Sequence, residues 1–173
     1  MATAGPNSPG TLVNDSGWPH GTANWVNPGN AGASDNAYAS ITPLLNNRGS
    51  SALLATNFGF SIPAGATVTN ITVDVECKVS AYPLDYGLAV GYTINGAANG
   101  TVSGRIWPPL ADSYQSVGLS VSLTASEVNS VNFGVFVGAL DGDGMDWYID
   151  HIRVTLTYAI PALFRRSLLG VGF

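Results

Sequence analysis

The sequence predicts an all-β fold, a single antiparallel β-sandwich of jelly-roll type with a short C-terminal arm. Three observations carry that expectation. Residues 69–80 alternate Ile71, Val73, Val75, Cys77 and Val79 with Thr72, Asp74, Glu76 and Lys78, a period of two that an amphipathic helix cannot produce. Glycine or proline interrupts nearly every interval, at Pro28-Gly29, Gly49, Pro63, Gly65, Pro83 and Pro108-Pro109, which divides the chain into short strands and turns. Of the 173 residues, 46% are hydrophobic and 10% charged, too apolar for a disordered chain and too poor in charge for a coiled coil.

Taken in order, residues 1–21 read as an N-terminal extension, 22–160 as the sandwich and 161–173 as the arm. Parts of 22–41 and 51–62 are strands with weak alternation. Residues 69–80 form the central strand, whose aliphatic side chains contribute roughly 1.5–3 kcal/mol each when buried. Leu88, Val90, Tyr92 and Ile94 alternate and run into Asn95-Gly96, a dipeptide that favours a tight hairpin, so 101–106 is the return strand. Residues 124–130 hold one helical turn. Phe133, Val135, Val137 and Ala139 make a further strand with Gly134 and Gly138 facing the other way. Asp141-Gly142-Asp143-Gly144 is a turn, and 147–158 is the last long strand. Strict alternation there puts Tyr148, Asp150, Ile152, Val154, Leu156 and Tyr158 on one face and sends His151 to the other.

Pro161 ends that strand, and the following residues change character. Leu163, Phe164, Leu168, Leu169 and Phe173 are too apolar for a free solvated tail, and Arg165 and Arg166 are not balanced by any acid in the segment. Two readings stand: the segment folds back on its own sandwich, or it docks on a neighbouring subunit with its arginines against an acidic surface. The second is the expectation taken forward.

Composition also bounds function. The net charge is −5 and Lys78 is the only lysine, so no basic face exists to displace counterions from a nucleic acid. No apolar run approaches the roughly 20 residues of a membrane helix. Cys77 is the single cysteine, which excludes an intramolecular disulfide and fits a small buried hydrophobe. Residues 1–10 have neither the charged nor the apolar region of a signal peptide, so the chain is expected to be made in the cytoplasm.

No catalytic, cofactor-binding or metal residue is assigned. A Ser-His-Asp site needs a histidine, and of the two present, His20 lies in a Gly/Pro-rich stretch while His151 is set apart from Asp150 by the strand pleat. No Gly-x-Ser-x-Gly elbow occurs. Asp141, Asp143 and Asp146 resemble the opening of a calcium loop, but Ile152 stands where an EF-hand carries its bidentate glutamate; a turn with self-capping aspartates is the simpler expectation. Among Trp18, Trp25, Trp107 and Trp147, the first and third precede prolines in loops, where an aromatic face can stack on a sugar. A carbohydrate- or receptor-binding module is therefore the alternative function, with a glycan as its ligand.

A family resemblance points elsewhere. Trp25-x-Asn27-Pro28-x-Asn30-Ala31, Ala33-Ser34-Asp35-x-Ala37-Tyr38-Ala39, Asn57-Phe58-Gly59-Phe60-Ser61-Ile62-Pro63-x-Gly65-Ala66 and Asp150-His151-Ile152-x-Val154-Thr155 together resemble a loosely defined group of β-sandwich virion proteins of tailed bacteriophages. The resemblance spans about residues 22–158 and leaves the arm outside. It implies a non-enzymatic structural protein of the capsid-decoration, head-fibre or tail-adhesin type, located in the virion. Its partners would be other virion proteins and copies of itself in a homo-oligomer.

Overall fold

Alternation along 69–80 becomes a long central strand of a two-sheet sandwich. The structure is a computed structural model and describes residues 1–44, 49–81, 87–140 and 144–161. Its strands are β1 (Ala2–Asn7), β2 (Thr11–Asp15), β3 (Gly21–Ala23), β4 (Ala39–Leu44), β5 (Gly49–Ser50), β6 (Ala52–Thr56), β7 (Thr67–Val79), β8 (Leu88–Thr93), β9 (Gly104–Ile106), β10 (Ser113–Thr124), β11 (Gly134–Ala139) and β12 (Met145–Ala159). A 3₁₀ turn covers Pro28–Ala31, and the helical turn expected near residue 124 is α1 (Ala125–Val128). Thr124 caps α1 with its hydroxyl while Glu127 reaches back to the Thr124 backbone N–H, a reciprocal capping box.

The first sheet runs β1-β12-β7-β10, with β4 joining β12 on the side β1 occupies further along. The second runs β2-β6-β11-β8-β9. Both are antiparallel throughout. A short parallel pair, β3 with β5, lies outside them. The expected return strand is present as β9, which pairs with β8, but the tight hairpin is not: residues 94–103 form a long connection, within which Gly96, at a φ of 74°, donates its N–H to the Asn132 carbonyl.

Between the sheets, Ile71, Val73, Val75, Cys77 and Val79 of β7 meet Leu53 and Ala55 of β6, Leu88 and Val90 of β8, and Val135 and Val137 of β11. β7 is central as expected, flanked by β10 and β12. Burial pushes the Cys77 thiol up to about 12, consistent with a packing role. The second sheet is covered on its other face too, where Trp18 packs on Phe136 with ring centroids 5.2 Å apart, alongside Ala52, Leu54, Ala89 and Ala98. Gly138 makes this possible: a Cβ there would lie 2.9 Å from the Trp18 indole nitrogen.

Residues 1–21 differ from the extension expected from the sequence. They supply β1, which pairs with β12, and β2, which pairs with β6, so one strand goes to each sheet. Both lie at sheet margins, where few apolar side chains are needed, and so neither carries a readable alternation.

β12 also departs from strict alternation. Its ladder with β7 shifts by one residue between Ile149 and His151, leaving Asp150 as the extra residue of a β-bulge. Trp147 and Ile149 before the bulge, and Ile152, Val154 and Leu156 after it, all face the core. Tyr148 pairs with Lys78 on the outer face, not with Ile152 as a regular pleat would have it.

Candidate functional site

The outer face of the first sheet gathers its charge around that bulge. Tyr114 of β10, Glu76 of β7 and His151 of β12 stand in one cross-strand row, and Ser116, Asp74 and Arg153 form the next. Asp112 enters from the residue before β10, and Tyr38 from the loop before β4; the Tyr38 hydroxyl donates to Asp112 Oδ2 at 2.8 Å. The same loop folds over the bulge, so that the backbone N–H groups of Asp35 and Asn36 donate to the Asp150 carboxylate at 3.4 and 3.1 Å. The Ser34-Asp35 and Asp150-His151 motifs thus meet where a loop crosses the sheet.

Asp150 is 1% exposed. Burial raises its pKa above the ordinary carboxylate value; the two N–H donors offset this in part, and the charges of Glu76 and Asp112 add to the rise. Oxygens of Glu76, Asp112 and Asp150 lie within 4.8 Å of one another. Carboxylates that close repel by roughly 3–4 kcal/mol per pair at an effective dielectric near 20. No protein cation forms an ion pair with the trio among the described residues, although the Lys78 charge acts on Asp112 from a distance. The only ion pair among the described residues joins Arg153 Nε to Asp74 Oδ2 at 3.0 Å, and the Lys78 ammonium lies over the Tyr38 ring, 4.0 Å from its centroid. Two oxygens of the trio, Glu76 Oε2 and Asp112 Oδ1, are shut off from solvent with no hydrogen-bond partner among the described residues.

His151 borders the trio without belonging to its donor set. Its Nδ1 meets the Tyr114 hydroxyl at 2.7 Å and its Nε2 meets the Ser8 hydroxyl at 2.8 Å. Burial, with Arg153 adding to it, lowers the His151 pKa against the charges of Glu76 and Asp150, which raise it, and both ring nitrogens are engaged. The bulge brings Asp150 and His151 to one side of the sheet, contrary to the regular pleat. The resulting Ser8-His151 contact is oriented by a phenol, and burial raises the Tyr114 pKa. An uncharged phenol lacks the negative charge that steadies an imidazolium in a hydrolytic triad.

A second surface lies at the flank where both sheets end, at β10 and β9, which approach each other where Gly104 faces Val117 and Leu119. β10 is twelve residues long, Ser-Tyr-Gln-Ser-Val-Gly-Leu-Ser-Val-Ser-Leu-Thr, without one charge. It pairs with β7 on one side, and among the described residues no strand pairs with the other. Trp107 and Leu110, in the connection from β9 to β10, are 54% and 45% exposed.

The sequence-based candidates distribute unevenly over this map. The arm residues Leu163, Phe164, Arg165, Arg166, Leu168, Leu169 and Phe173 lie outside the described residues, as do Asp141 and Asp143 of the aspartate turn. Asp146 is described, and its Oδ2 accepts from the Tyr148 hydroxyl at 3.2 Å. Of the two tryptophans put forward for sugar stacking, Trp107 is exposed, but Trp18 is 2% exposed and lost to the interior. Glu76, Asp112 and Tyr114 are not among the sequence-based candidates. The signal that points to them is a slip of phase in β12, where apolar Ile149 and Ile152 stand three apart instead of two. The chain matches no family model, and no curated protein matches it.

Proposed function

We propose that this chain is a non-enzymatic structural protein of a tailed-phage virion, which works by packing on copies of itself and on capsid or tail neighbours. The observation that carries the assembly reading is β10, a twelve-residue, charge-free strand at the margin of the first sheet. Proteins that stay apart guard such margins with lysine, proline, bulges or covering segments, because the unpaired N–H and C=O groups template another strand. β10 carries neither charge nor proline and has a single register shift between Ser120 and Leu123. Trp107 and Leu110 beside it supply apolar anchors of the kind that dominate interface energetics. The virion setting rests on the motif resemblance over residues 22–158.

The test is the mass of the protein in solution. The full chain should form multimers. Replacing the exposed Ser120 and Ser122 with lysine should reduce them to folded monomers with an unchanged melting temperature, since like charges would then face each other across the joined strands. A chain that is monomeric at all concentrations, or whose multimers survive both lysines, overturns the β10 reading. A variant truncated after Tyr158 shows whether the arm contributes to the same assembly.

The exposed Trp107 favours a second reading, a glycan-binding module. Under it, Trp107→Ala abolishes retention on an immobilised glycan and leaves the mass unchanged.

A further inference from the structure

We propose that Glu76, Asp112 and Asp150 hold a calcium ion on the outer face of the first sheet. Two independent observations meet there. The oxygens of these three side chains lie within 4.8 Å of one another, and Glu76 Oε2 and Asp112 Oδ1 are sealed from water with no hydrogen-bond partner among the described residues. Buried carboxylate oxygens are ordinarily satisfied by donors or by a cation. Arg153 pairs with Asp74 and Lys78 lies over the Tyr38 ring, so the trio has only the more distant pull of Lys78 on Asp112. A bound cation would satisfy both orphaned oxygens and cancel the repulsion of the trio in one step.

The donor chemistry selects the ion. His151 pairs with Glu76 across the strands, yet both of its ring nitrogens are occupied, by Tyr114 and Ser8. The site therefore offers oxygens alone, which disfavours zinc and copper. Among hard cations, calcium binds at about 2.3–2.6 Å, so its opposed ligands lie about 4.6–5.2 Å apart; magnesium, at about 2.0–2.1 Å, spans about 4.2 Å and demands a regular octahedron. Oxygens spread over up to 4.8 Å, drawn from two strands and a loop, suit the larger and more tolerant ion. The structure also fixes the ligands beforehand. Asp150 is set by the bulge and by the N–H groups of Asp35 and Asn36, and Asp112 is held by Tyr38 through its other oxygen. This site is separate from the aspartate turn at 141–146.

The experiment uses the full chain stripped with chelator, then titrated with calcium chloride or magnesium chloride while thermal unfolding is followed. At a calcium concentration about a hundred times the dissociation constant, the melting temperature should rise by roughly 5–10 °C, with a markedly smaller rise in magnesium. Glu76→Gln with Asp112→Asn should remove the calcium response and leave the chelated protein at least as stable as the wild type, because it removes repulsion. Asp146→Asn should leave the response intact. In case the double variant does not fold, terbium luminescence in the wild type, sensitised by Tyr38 and Tyr114 and displaced by calcium at one ion per chain, reads the same site. No calcium shift together with no sensitised terbium signal overturns the proposal. So does a response that survives in the folded double variant, or one that Asp146→Asn abolishes.

Discussion

Two tryptophans look alike in the sequence, each next to a proline in a stretch without alternation, and the fold uses them in opposite ways. Trp18 lies on Phe136 in a pocket that Gly138 leaves open, whereas Trp107 stands over half exposed. Their substitutions should separate accordingly. Trp18→Ala removes a buried indole and should cost about 3–5 kcal/mol, while Trp107→Ala should change stability by no more than about 0.5 kcal/mol, both measured by urea denaturation. Comparable losses at the two sites would contradict this difference in burial. Nothing local distinguishes these residues, because what buries Trp18 is Phe136, more than a hundred positions away in the chain. Cys77 is the contrasting case. Its place in a run of alternating aliphatics announces its burial, and the structure puts it at 0% exposure.

At the scale of single elements, legibility follows regularity. β7 and the α1 turn are readable because period two and the Thr124-to-Glu127 spacing each have one dominant physical solution, whereas Asn95-Gly96 points to a return strand but not to the long connection that precedes β9. β12 reads as one regular strand only if the phase slip between Ile149 and Ile152 is ignored. That slip decides the geometry of the candidate site, since it brings Asp150 beside Glu76 while keeping both isoleucines in the core. The carboxylate trio is illegible for a further reason: Glu76, Asp112 and Asp150 come from three separate segments, and only strand pairing unites them. Deleting Asp150 tests the bulge directly. The chain should still fold, with β12 and β7 in continuous register from Trp147 to Thr157, but without the calcium response and with a melting temperature lowered by several degrees. A deletion variant that keeps full calcium affinity would show that the bulge does not build the site.

For the molecule as a whole, the all-β sandwich class expected from composition and turn spacing is the one found. Its N-terminal boundary lies earlier than the sequence suggests. Residues 1–21 look like an extension because β1 and β2 are marginal strands with half-buried or exposed side chains. Yet each extends a different sheet, and Leu12 packs against the main core. Removing residues 1–16 should therefore lower the melting temperature substantially or leave the chain insoluble, because it bares the edges of β12 and β6. A truncated chain that melts like the full one would return those residues to the status of an extension. Removal also takes Ser8 from His151, so the neighbourhood of the carboxylate trio should report the change as well.

β12 is the spine of the first sheet: β7 runs along one side, and β1 and β4 share the other. Three strands made earlier in synthesis thus wait for the last one, which ends at Ala159. While β12 is still inside the ribosome exit tunnel, the growing chain cannot complete this sheet. Until it emerges, β1, β4 and one side of β7 remain unclaimed, in a protein whose sparse charge gives little protection from sticking to its neighbours. The sheet therefore closes late and all at once, and the interval before closure is when this chain most needs a chaperone or a ready partner.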